Sequence, residues 1–270
     1  MNIFLLELRT LRRGTVISTL AISVSIFVML SFFPAMQNEA MRELAGVTLE
    51  GMNEAFLEAF GLSGTMDFTR MINFFGYVAQ YVTLAVMIII TSRAAALFSK
   101  EEGDGTIEYI YSKPVSRTEI VLQKLLAHIA LFAAMLIVCE VFTLAGYLAF
   151  ADYSFGDALR ETGIYYGGVF FSGLIFTAVG ILISATAKRG GKTAGLAMGI
   201  VFGTFILGIM SAIVDELDFL VYASPMDWIK MQKLANEGFL IEEWIIGAAV
   251  IIICSVTALI IYKKKDLLIL

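Results

Sequence analysis

The chain has 270 residues, 59% hydrophobic and 16% charged, with a formal net charge of −5 and a mean hydropathy of +0.85. A soluble globular domain carries roughly 25% charged residues, so this balance excludes that class. It also gives no basic excess for a nucleic-acid partner. Several apolar runs are long enough to cross a bilayer as helix, which takes about 20 residues.

In chain order, residues 1–13 come first. Met1, Phe4, Leu8 and Leu11 share one helical face, with Arg9, Arg12 and Arg13 mainly on others. This spacing predicts a short interfacial helix on the inner leaflet, although Glu7 intrudes on its apolar face. No cleavable signal peptide is expected, because charges are mixed through the segment and no small-residue cleavage pattern closes the first apolar run.

Six spans follow, at residues 15–36, 71–96, 122–150, 163–187, 193–214 and 244–262. The expectation is one all-α polytopic membrane domain over the whole chain. Fourteen of the 19 Lys and Arg residues fall on the side of the two termini and the second and fourth loops. The positive-inside rule therefore puts both termini in the cytoplasm. The outer side is acidic. An acidic mouth can favour cationic cargo, or it can simply be what positive-inside sorting leaves behind. The two longer outer segments, 37–70 and 215–243, read either as caps over an outer mouth or as ordinary interfacial helices. Cys139 and Cys254 lie inside apolar runs and read as packing residues, not as a disulfide.

The second inner loop, residues 97–121, is the densest signal. Gly103 and Gly105 end the preceding helix, and Thr106 caps a new one with Glu108 in its first turn. Ile107, Ile110 and Tyr111 then form an apolar face at i, i+3, i+4 spacing. Pro114 stops that helix. Ser116-Arg117-Thr118-Glu119 is a capping box for the next, which runs through Lys124 into the third span. The result is an amphipathic crossbar between two long helices. It is shaped either to bury Ile107, Ile110 and Tyr111 in a partner or to lie on lipid headgroups.

Nothing in the chain assembles a catalytic constellation. His128 is the single histidine and reads as a packing or interfacial residue. The pairs Glu101-Glu102 and Glu242-Glu243 lack Arg or His partners on the same helical face. Gly191-Lys192-Thr193 imitates the end of a phosphate-binding loop, but Thr186 stands where the first glycine belongs and a membrane helix precedes it. No metal site is expected.

Two further features lie inside spans. Glu140 is the one carboxylate deep in the third span, where an acid costs roughly 3 kcal/mol on insertion scales. It either lines a transport path or is a protonated packing residue. Gly195, Gly199 and Gly203 form a small-xxx-small stripe in the fifth span. That stripe serves packing within the chain or contact between two copies. The fourth span carries Gly163, Gly167, Gly168, Gly173 and Gly180.

The second loop resembles that of the ABC-2-type transporter permease family, in the form E-x-x-G-T-x-E…P-x-S-R-x-x-I…K. The matching residues are Glu102, Gly105, Thr106, Glu108, Pro114, Ser116, Arg117, Ile120 and Lys124. The six-span topology and the C-terminal YKKKDLLIL resemble that family too. The resemblance implies a permease, not itself an enzyme, of an ATP-driven exporter in a bacterial cytoplasmic membrane. It implies a coupling helix in the 97–121 loop, seated in a groove of a separate ATP-binding subunit that holds ATP and Mg. Two permease copies, expected as a homodimer, would pair with two such subunits. Cargo in the family is peptide, drug or lipid-linked molecule. The alternative is a non-transporting sensor or assembly subunit that docks a soluble partner through the same loop. A secondary transporter would show interrupted helices and paired repeats, and the sequence has neither.

Overall fold

The computed structural model describes residues 3–38, 57, 67–100, 115–187, 193–236 and 238–265. Among them the helices are α1 (Ile3–Leu30), α2 (Phe33–Met36), α3 (Met71–Ala96), α4 (Arg117–Phe150), α5 (Phe155–Thr186), α6 (Thr193–Ile213), α7 (Met231–Asn236) and α8 (Ile241–Lys264). Two 3-10 segments, Asp215–Ala223 and Asp227–Ile229, connect α6 to α7. Six helical stretches are long and apolar enough to cross a membrane: α1 with α2, then α3, α4, α5, α6 and α8. The chain is an all-α, multi-pass membrane protein.

Helix ends follow local chemistry. Pro34 lies in the first turn of α2, where its missing N–H has no intrahelical partner to lose. The Ser116 hydroxyl accepts the Glu119 N–H at 3.2 Å and starts α4. Ser154 does the same for Asp157 at 3.1 Å and starts α5. Helix α5 therefore begins at Phe155, well before the apolar run that starts at Gly163. Hydrophobicity marks what lipid covers, whereas a cap marks where the backbone turns helical.

Residues 3–13 are not set off from the first span. Helix α1 passes Gly14 without a break, and the face it buries is Ile3, Glu7, Thr15, Thr19, Ser23, Ile26 and Leu30. The expected stripe of Phe4, Leu8 and Leu11 is only partly covered. Glu7 is the reason: it faces α4, where it has a partner described below.

Helix α5 is the centre, packed against α3, α4 and α8, while α1 lies along α4 and α6 along α3. The core joins Phe75, Tyr147, Tyr165, Tyr166 and Phe176 with aliphatic neighbours. Tyr165 donates to the Ala79 carbonyl at 3.0 Å and lies 2.6 Å from the Thr83 hydroxyl. Tyr166 lies 2.8 Å from that of Thr143. Water does not reach such groups in a bilayer, so these bonds stabilise helix contacts directly. The histidine His128 is buried against Thr177, 3.4 Å away. Both cysteines are free.

One end of the bundle carries Arg9, Arg12, Arg13, Lys100 and Lys263 to Lys265, and is here the basic end. The opposite, acidic end is capped by residues 215–236. Trp228 is buried there and donates to the Val221 carbonyl at 2.9 Å. Met226, Ile229, Met231 and Leu234 join the main core. Asp227 is ion-paired with Lys230 and accepts from Ser224 at 2.5 Å. Lys233 pairs with Glu243 of α8. This segment is a packed cap, held on α5 by the Ser172 hydroxyl donating to the Pro225 carbonyl at 3.1 Å.

Candidate functional site

The loop residues Glu102, Gly105, Thr106, Ile107, Glu108, Ile110, Tyr111 and Pro114 lie outside the described residues. Both roots of the loop are described, and interhelical hydrogen bonds concentrate around them at the basic end. Lys124, about two turns into α4, is 1% exposed. Its ammonium donates to the Leu97 carbonyl at 3.0 Å and forms an ion pair with Glu7 of α1 at 3.4 Å. Leu97 is the residue that closes α3. One side chain thus ties the end of α3, the start of α4 and the first turns of α1. A buried lysine is tolerated only when paired and hydrogen-bonded. Removing one partner of such a pair costs roughly 3–5 kcal/mol, because the other charge stays buried alone.

Further bonds extend this arrangement into a collar. Gln123 accepts the Phe4 N–H at 3.1 Å, covering one of the donors that a helix start leaves open. Arg117 donates to the carbonyls of Lys263 at 3.0 Å and Lys265 at 2.8 Å, where the C-terminal end of α8 favours a cation. Lys265 donates to the Ala187 carbonyl at the end of α5 at 2.8 Å. The Ser184 hydroxyl of α5 accepts from the N–H groups of Phe98 at 2.8 Å and Ser99 at 3.3 Å. Arg93 of α3 donates to Thr15 and Ser18 of α1 at 3.0 and 2.9 Å. Phe98 and Tyr262 pack ring to ring, 4.6 Å apart, beneath the loop. Of the predicted coupling residues, Ser116 and Arg117 are described: Arg117 belongs to the collar, and Ser116 caps α4 at its edge. The Glu119 carboxylate accepts from Gln123 at 2.9 Å instead of reaching back to Ser116, so only half of the capping box forms.

The intramembrane candidates fall elsewhere. Glu140 is partly exposed on α4 beside Gly163 of α5; a Cβ there would sit 3.5 Å from its carboxylate. A Cβ built on Gly195, Gly199 or Gly203 would meet nothing within 4 Å among the described residues. Among the described residues the stripe therefore shows no close packing within the chain. The reason is register: α6 buries Thr193, Ala197, Val201, Gly208 and Ser211, and the glycines fall on other faces of the helix.

At the acidic end a cavity of about 570 Å³ opens between the starts of α3 and α5 and helix α7. Arg70, Asp152, Asp157, Arg160 and Glu161 line it. Tyr153 lies in its wall, and burial, reinforced by the Glu161 carboxylate, raises the pKa of its phenol. The lining mixes both charge signs. Among the described residues no group of His, Cys, Asp and Glu is arranged to hold a metal ion.

The family model described as ABC-2 family transporter protein matches residues 1–267. The chain belongs to the ABC-2 transporter family. Among curated proteins, no match to it is found. Membership makes this ABC-2 protein a membrane permease component and implies pairing with an ABC ATP-binding subunit. In the permease, the collar therefore lies at the root of the loop that the family resemblance singles out. Sequence reasoning missed Glu7 as part of it. The available signal was a lone carboxylate on an apolar helical face, together with a lysine placed inside a span.

Proposed function

We propose that the chain is the membrane subunit of an ATP-driven exporter of a hydrophobic or amphipathic substrate in a bacterial cytoplasmic membrane. Two copies pair with two ATP-binding subunits, which bind ATP and Mg. The 97–121 loop docks on the ATP-binding subunit through Ile107, Ile110 and Tyr111. The observation that carries this reading is Lys124 with its two partners, Glu7 and the Leu97 carbonyl. A push on the loop is delivered to α1, α3 and α4 together, as rigid-body switching of a transport path requires. The stripe of Gly195, Gly199 and Gly203 supports close approach of a second copy, because small residues let helix backbones meet in lipid.

The test is co-purification with the ATP-binding subunit, followed by an ATPase assay in lipid. Ile107→Asp and Tyr111→Ala are each expected to abolish capture of that subunit while the permease still elutes as a folded species. Capture that survives both substitutions would sink the docking reading.

A further inference from the structure

We infer that Arg93 is a binding site for the phosphate headgroup of an anionic phospholipid, at the basic-end leaflet beside α1. This goes beyond the proposed export function and does not depend on ATP coupling.

The argument starts from the partners of the guanidinium. Its two hydrogen bonds go to the neutral hydroxyls of Thr15 and Ser18. Those hydroxyls donate in turn to α1 carbonyls: Thr15 to Leu11 at 3.0 Å, and Ser18 to Gly14 and Thr15, each at 3.0 Å. They aim the guanidinium without neutralising it. Arg93 has no ion pair with a carboxylate among the described residues. A guanidinium has five N–H donors, so three are left over by its partners among the described residues. Among the described residues no carboxylate compensates its positive charge, in a segment where ionised groups are costly and normally partnered.

Position selects the ligand. Thr15 and Ser18 lie about one turn deeper than Arg12 and Arg13 on α1. The lipid-exposed apolar face of α1 begins beside them, with Val16, Ile17 and Leu20 at 54%, 70% and 49% exposure. Arg93 therefore stands at the boundary between headgroups and acyl chains. Along α3, Tyr81 and Ala85 are exposed, and Ile88, Ile89 and Ser92 partly so, leading to Arg93. This strip belongs to the helix on which both α1 and α6 pack. It offers a largely apolar track for an acyl chain above a cation for its phosphate. Basic sites between membrane helices on the cytoplasmic side recognise anionic headgroups in this way, and arginine matches phosphate with two parallel hydrogen bonds.

The test uses the purified full chain and native mass spectrometry, with phosphatidylglycerol against phosphatidylcholine. The wild type is expected to retain phosphatidylglycerol preferentially. Arg93→Gln should lower that retention about tenfold, while Arg12→Gln, on the exposed face, should leave it unchanged. Arg93→Gln orphans neither hydroxyl, since both stay bonded to α1 carbonyls. As a second arm, Thr15→Val with Ser18→Ala keeps the charge but removes its aim, and should weaken retention several-fold. Unchanged retention in both Arg93→Gln and the double variant overturns the inference. So does an equal loss in Arg12→Gln, which would mean general surface attraction. Displacement of phosphatidylglycerol by millimolar inorganic phosphate would instead assign a free-anion site and overturn the lipid.

Discussion

Helices α5 and α6 are both rich in glycine, but Gly173 and Gly180 of α5 are used differently from Gly195, Gly199 and Gly203 of α6. In the most apolar window of α5, 78% of residues are buried; in that of α6, 22% are. A Cβ on Gly180 would sit 2.6 Å from the Ala94 Cβ and 2.9 Å from the Thr91 carbonyl oxygen. On Gly173 it would overlap the Phe132 ring. A Cβ on Gly195, Gly199 or Gly203 of α6 would meet nothing within 4 Å among the described residues. The same residue type sets the closest helix approach in one place and leaves a helix surface smooth in the other. Only the neighbours decide which, so a glycine spacing in a membrane helix is not by itself evidence of a contact within the chain.

Substitutions can break this contrast. The largest effect is expected from Gly180→Val, because the obstructing atoms include backbone of α3 that cannot rotate aside. Overpacking of this kind costs about 3 kcal/mol or more, read as loss of monodisperse protein or a large fall in unfolding temperature in detergent. A near-native melting curve would show that α3 and α5 do not approach so closely. Ser184→Ala, also on α5, leaves the N–H groups of Phe98 and Ser99 without their acceptor. An unsatisfied buried donor costs about 1–3 kcal/mol, so this variant should unfold measurably earlier than wild type. Gly199→Leu on α6 is expected to change the stability of the single chain by no more than about 0.5 kcal/mol. The same variant should reduce self-association seen by cross-linking in membranes. A stability loss comparable to that of Gly180→Val would mean that the stripe faces inward after all.

The basic end shows how much of the site was legible. The cap at Ser116 and the helix running from it into the third span follow from residues three or four apart, and local spacing is what a sequence displays. Lys124 was visible as a basic residue near a span, yet its partners Glu7 and the Leu97 carbonyl come from other helices. Glu7 read as a blemish on a lipid-facing surface. Burial against α4 makes it the counter-ion of the lysine that reaches Leu97. The acidic cap was open between two readings for a similar reason. Trp228, Asp227 and Pro225 reveal themselves as packing residues only once Ser172 of α5 and Val221 are beside them.

By itself the sequence determined that the chain is helical, that six of its runs are long and apolar enough to cross a membrane, and which family it resembles. Those properties depend on run length, charge and local motif, and each is additive along the chain. Tertiary structure alone decided that α1 is continuous from Ile3, and that, among the described residues, Gly195, Gly199 and Gly203 of α6 have no close neighbour and Arg93 has hydroxyls but no carboxylate for partners. These depend on which faces of distant helices meet. In a bilayer, where every apolar surface is equally soluble, hydrophobic pattern carries little information about that choice.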